Sequence, residues 1–161
     1  MNATRKVVIN ACYGGFSLSP AAIRRLAEMD GRSCYFFKTD RTSAKMDRYS
    51  TITEEEATRS RFWYAFDIPN PNVALVSDVA WHDMSEEERA SHNNAWEAHA
   101  LERRDIARDD PRLLQLIEEL GEDVNGSCAS LKVVEIPADV EWEIKEYDGS
   151  EWVAEVHRTW S

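Results

Sequence analysis

The run from Val7 to Gly31 constrains this chain more than any other. Val7-Val8-Ile9 lead into Asn10-Ala11-Cys12-Tyr13-Gly14-Gly15-Phe16, and Leu18-Ser19-Pro20 open a helical pattern. Three consecutive β-branched residues read as a strand buried on both faces. Ser19 suits an N-cap and Pro20 the first helical position, while Leu18 and Ile23 fit a hydrophobic staple. Ala22, Ile23, Leu26 and Met29 share one helix face, and Gly31 closes the helix. A second strand, Ser33 to Lys38, follows, so the segment predicts a βαβ unit with parallel pairing.

The glycine pair gives this unit its chemistry. Adjacent glycines let backbone amides turn inward where a helix begins, and unpaired N–H groups with the positive end of the helix dipole favour an anion there. The Ser17 and Ser19 hydroxyls and Arg24 or Arg25 are placed to join them, and Tyr13 to stack. The last residues add an imidazole, a cation and an indole, His157, Arg158 and Trp160, a combination that stacks on a base and holds a phosphate. The candidate ligand-binding set is therefore Tyr13, Gly14, Gly15, Ser17, Ser19, Arg24, Arg25, His157, Arg158 and Trp160. The turn lacks both the Gly-x-x-x-x-Gly-Lys-Ser/Thr loop and the three-glycine dinucleotide fingerprint. Its plainer reading is a tight connection in which Tyr13 and Phe16 pack.

Further along, Thr39 to Arg61 reads as a polar flap or insertion with Arg41, Lys45 and Arg48, closed by a Thr53–Glu56 capping box. Phe62 to Ile68 alternates as a strand, Pro69-Asn70-Pro71-Asn72 ends it, and Val73 to Val79 suggests another short strand. Residues 78–110 read as a polar helical insertion, its helix of about Glu86 to Arg104 opened by a Ser85–Glu88 capping box. His92, Trp96, His99 and Arg103 share a stripe on that helix; packing around Trp96 is favoured over a metal site. Asp110-Pro111 caps an amphipathic helix carrying Leu113, Leu114, Ile117 and Leu120. Leu131 to Ile136 is a strand, and Glu141–Tyr147 with Glu151–His157 predicts a hairpin about Asp148-Gly149. A three-residue loop, pairing Trp142 with Val156 and Ile144 with Ala154, keeps apolar residues on one face.

These elements predict one α/β domain over 1–161, with α+β as the alternative: a central mixed sheet, the N-terminal βαβ unit, a C-terminal hairpin and two or three packed helices. Residues 1–48 hold nine Lys/Arg against four Asp/Glu, and residues 49–161 hold ten against twenty-six. The acidic remainder excludes nonspecific nucleic-acid binding as an expectation. With no run of 18 apolar residues and no signal-peptide pattern, a soluble cytoplasmic protein with no membrane partner is expected. Three widely spaced cysteines, Cys12, Cys34 and Cys128, predict buried thiols rather than a disulfide framework. No Gly-x-Ser-x-Gly elbow or cysteine-hydrolase signature occurs, so neither a catalytic residue nor a metal nor a cofactor is assigned.

The motifs Val8-Ile9-Asn10, Cys12-Tyr13-Gly14-Gly15-Phe16, Leu18-Ser19, Asp110-Pro111 to Leu120-Gly121, Leu131 to Pro137, Tyr147-Asp148-Gly149 and His157-Arg158-Thr159-Trp160 resemble a group of small proteins encoded by bacteriophages and prophages. The resemblance covers residues 5–30 and 108–160. It implies an accessory protein acting in the bacterial host cytosol, often against host defence, and supplies no catalytic residue. The leading expectation is a non-enzymatic protein that sequesters a small anionic, nucleotide-like ligand. One alternative is an acidic, nucleic-acid-mimicking inhibitor of a host defence protein, as anti-CRISPR factors are. Another is a nucleotide-processing enzyme using His157, Asp148 or His99. Oligomeric state is left open, with homo-oligomers included.

Overall fold

In the computed structural model, which describes residues 3–40, 48–101 and 105–156, the chain is of the mixed α and β class, with 36% helix and 30% strand. It divides into two units: Met1–Leu26 with Arg103–Ser161, and Ala27–Glu102. The second therefore interrupts the first in sequence.

In the first unit, β1 (Thr4–Asn10) pairs antiparallel with β5 (Leu131–Pro137), from Thr4 opposite Pro137 to Asn10 opposite Leu131. β6 (Trp142–Tyr147) and β7 (Ser150–Glu155) form a separate antiparallel hairpin. Helix α1 (Pro20–Met29) begins here and α5 (Pro111–Leu120) completes the unit. Val7, Val8, Leu18, Ala22, Ile23, Leu26, Leu113, Leu116 and Val124 are buried. The caps form as the residues dictate: the Ser19 hydroxyl accepts from the Ala22 amide at 3.1 Å, and Asp110 accepts from the Arg112 amide at 2.8 Å.

The second unit holds a three-stranded sheet ordered β3 (Arg48–Ile52), β2 (Tyr35–Asp40), β4 (Tyr64–Phe66), both pairs antiparallel. Helices α2 (Glu54–Arg59), α3 (Pro71–Leu75) and α4 (Glu86–His99) complete it. Its core is aromatic. Phe37, Phe66 and Leu75 are buried, with Tyr49, Tyr64, Ile68 and Trp96 packed against them. The Trp96 ring stands edge-on to Phe66 at 5.0 Å and to Tyr64 at 5.8 Å between centroids. Both capping boxes, Thr53–Glu56 and Ser85–Glu88, are closed in both directions. In each, the cap's backbone N–H and hydroxyl hold the glutamate carboxyl below its ordinary range.

Several expectations are corrected. Among the described residues there is no βαβ unit and no single central mixed sheet: β2, the strand after α1, pairs with β3 and β4, while β1 takes β5 from far along the chain, and every strand pair there is antiparallel. Part of the polar flap is strand β3, whose Tyr49 amide and carbonyl are bonded by the Asn72 side chain as a neighbouring strand would bond them. The strand expected after Val73 is helix α3, because Pro71 at its first position supplies the fixed φ of a helix start. The 78–110 segment is not merely polar, since Met84, Leu101 and Ile106 are buried.

Candidate functional site

The glycine turn, the 126–130 segment and the hairpin tip meet in the first unit. Gly14 packs so closely that a Cβ there would overlap the carbonyl oxygen of Cys128. A Cβ on Gly126 would overlap the Ser17 hydroxyl, and one on Gly149 would sit 2.5 Å from the Gly15 nitrogen. The glycines thus bring backbone against backbone, and the inner side of the turn is filled by protein. Asn10, fully buried, ties these loops together. Its amide donates to the carbonyls of Cys12 at 2.8 Å and Gly149 at 2.7 Å, and its side-chain oxygen accepts from the Ser130 amide at 2.8 Å. Carbonyls accept and amides donate, so Asn10 satisfies three backbone groups of these loops at once.

Beside it lies a buried ion pair. The Glu151 carboxylate accepts from the Asn10 backbone N–H at 2.9 Å and from Arg108 Nη2 at 2.7 Å. Val8 N–H donates to the Arg108 carbonyl at 2.8 Å, so a main-chain oxygen and a carboxylate occupy the β1 edge opposite β5. The Arg108 guanidinium lies 3.5 Å from the Phe16 ring centroid. Burial lowers the Arg108 pKa from its ordinary value, while Glu151 opposes that shift.

Glu151 explains why the expected hairpin register is not adopted. Tyr147 pairs with Ser150 and Lys145 with Trp152 across a two-residue loop in which Asp148 has φ 50° and Gly149 φ 84°. Asp-Gly suits such positive-φ turns, whose twist matches the strands. The register turns Glu151, Val153 and Ile144 to the face opposite Tyr147 and Trp152. Glu151 is only 8% exposed, whereas Tyr147 is 72% exposed and Trp152 48%. A carboxylate is inside and an indole outside because Arg108 and the Asn10 amide receive the carboxylate.

The sequence-based site residues are dispersed among other duties. The Ser19 amide donates to the Val124 carbonyl at 3.0 Å and its hydroxyl to the Asp123 carbonyl, so the start of α1 faces chain oxygens. Arg25 pairs with Glu119 at 2.8 Å, and Arg24 is likewise engaged. The hydrogen bond from Arg25 lowers the Glu119 pKa. The Ser17 carbonyl accepts from the Gly126 amide at 3.0 Å. Gly14 and Gly15 form the packing joint. Of the turn set's side chains, that of Tyr13 stands well out, the residue being 72% exposed. His157, Arg158 and Trp160 lie outside the described residues.

Sequence reasoning missed Asn10, Arg108, Glu151 and Trp152. Only Asn10 carried a signal, a polar residue directly after the apolar run Val7-Val8-Ile9. In the second unit His99 Nδ1 donates to Asp67 at 2.9 Å, and Arg32 grips the other Asp67 oxygen. The His92 ring bonds the Leu75 carbonyl at 2.9 Å, so the helix stripe is used in packing. No group of three metal-ligating side chains occurs, and no helix is long and apolar enough to cross a membrane, among the described residues. Comparison with known proteins returned no match to a family model, a curated protein or a solved structure.

Proposed function

We propose that the protein is a binding protein whose hairpin tip and glycine turn dock on a basic surface of a partner protein. The supporting observation is the outward display of Tyr13, Tyr147 and Trp152 around a tightly bonded joint. Tyrosine and tryptophan dominate the energetic centres of interfaces, offering large contact area with few rotatable bonds. Besides the buried Glu151, residues 141–155 carry five carboxylates and one lysine, an acidic surround suited to a positively charged groove. The phage resemblance supplies the partner class: a nucleic-acid-binding effector of host defence, met in the bacterial cytosol.

Immobilised protein and its Tyr13→Ala, Tyr147→Ala and Trp152→Ala variants, each checked for an unchanged melting transition, are to be compared in capture from host lysate. The expected result is one protein retained by the wild type, lost from the variants and eluted by salt. Equal retention by all four proteins refutes the reading. A small nucleotide-like anion is the competing occupant, and a nucleotide panel separates the two, because a tight ligand in excess raises the melting temperature.

A further inference from the structure

We propose that Cys12 and Cys128 form an oxidation-sensitive pair that peroxide closes into a disulfide across the glycine joint. They stand 116 positions apart, yet the Cys12 thiol donates to the Cys128 carbonyl oxygen at 2.9 Å. The β1–β5 register brings them there. It is carried one step past Asn10 and Leu131 by the Ala11 amide on the Ser130 carbonyl at 2.8 Å, after which the two chains run on into the glycine turn and the 126–129 turn. The carbonyl oxygen that the Cys12 thiol reaches is three bonds from the Cys128 Cβ, which brings the two side chains close together. Gly14 makes the approach feasible, since the space its side chain would fill holds the Cys128 carbonyl and Cβ.

Access and partner choice point the same way. Cys128 is exposed and Cys12 partly so, while Cys34 belongs to the second unit. Cys128 lies within a hydrogen-bonded turn in which the Ala129 amide donates to the Gly126 carbonyl at 3.1 Å, so its side chain is not held in a strand ladder. Hydrogen peroxide oxidises the Cys128 thiol to a sulfenic acid with release of one water. The Cys12 sulfur then attacks that sulfur, the S–S bond forms, and the hydroxyl leaves with the Cys12 proton as a second water. Two thiols have lost two electrons to one peroxide. Since Cys12 directly precedes Tyr13, the oxidised form fastens the loop that presents this ring.

The test is independent of the docking proposal. The full chain is treated with hydrogen peroxide, its remaining thiols are titrated, and a non-reduced tryptic map is recorded. Free thiols are expected to fall from three to one, with peptide Val7–Arg24 joined to Leu113–Lys132 and released by dithiothreitol. A Cys34→Ser variant should keep the link, and a Cys12→Ser variant should instead carry Cys128 on to sulfinic acid. The inference is overturned if the wild type keeps three thiols, if the link involves Ser33–Lys38 or a second molecule, or if Cys128 reaches sulfinic acid while Cys12 still alkylates.

Discussion

Replacing Glu151 by Ala tests the central joint most directly. Its side chain is 5% exposed, that of Arg108 is 16% exposed, and the two meet at 2.7 Å. Arg108 Nη1 is buried with no hydrogen-bond partner among the described residues, so the carboxylate is the compensating group for this cation there. Removing it strands a buried charge and the Asn10 amide together, and breaking a buried pair in this way costs about 3–5 kcal/mol. In the double variant Glu151→Ala, Arg108→Met the charge is gone and the thioether can still lie on Phe16. What remains is one orphaned backbone N–H, worth about 1–3 kcal/mol. The double variant should therefore recover about 2 kcal/mol relative to the single. Urea unfolding followed by tryptophan emission, extrapolated linearly to water with an unchanged slope, measures both. A Glu151→Ala loss below about 1 kcal/mol, the value of an exposed pair, would refute the assignment. So would a double variant no more stable than the single.

Gly14→Ala should cost about 1–3 kcal/mol or more, because the new Cβ meets the Cys128 carbonyl. Gly31→Ala, where space is open and only φ 68° resists, should cost about 1–2 kcal/mol, and the same unfolding measurement compares them. Trp96→Ala removes the ring that touches Phe66, Tyr64 and Tyr49 and should cost about 3–5 kcal/mol, read as a lowered urea midpoint. Burial alone would raise the Asp67 carboxyl, but hydrogen bonds from His99 and Arg32 outweigh it and hold its pKa below the ordinary aspartate value. The stabilisation is full above the unfolded value of about 3.9 and is lost as pH falls through the lower folded one, so Asp67→Asn should flatten the acid limb of a stability–pH profile. An unchanged acid limb in that variant would count against the His99–Asp67–Arg32 cluster.

What could be read from the sequence was local. Ser19, Thr53 with Glu56, Ser85 with Glu88, and Asp110 set helix starts through bonds spanning two or three residues, and all four caps formed. The turn at Asp148-Gly149 was legible for the same reason, but its register was not. Register follows which face is buried, and the buried face of β7 is chosen by Arg108, 43 positions earlier. Partner choice for β1 was equally invisible. A run such as Val7-Val8-Ile9 reports burial and not neighbours, and β5 lies more than 120 positions later in the chain. The glycine pair misled because an anion cradle and a backbone crossing both require a missing side chain, and only the opposing Cys128 and Gly149 distinguish them.

The joint and the outward aromatics are therefore linked through one residue. Asn10 holds the Cys12 and Gly149 carbonyls, and these residues flank Tyr13 on one side and follow Tyr147 by two on the other. A flexible loop carrying a tyrosine loses conformational entropy when it docks, about 0.5–1.5 kcal/mol for each side chain immobilised. Backbone crossings at Gly14, Gly126 and Gly149 meet much of the ordering cost during folding. The same bonds account for a buried polar centre at Asn10, Arg108 and Glu151. An apolar residue in place of Asn10 would remove the three hydrogen bonds that join the Cys12 and Gly149 carbonyls and the Ser130 amide, leaving the two tyrosine-bearing loops held by the glycine crossings alone.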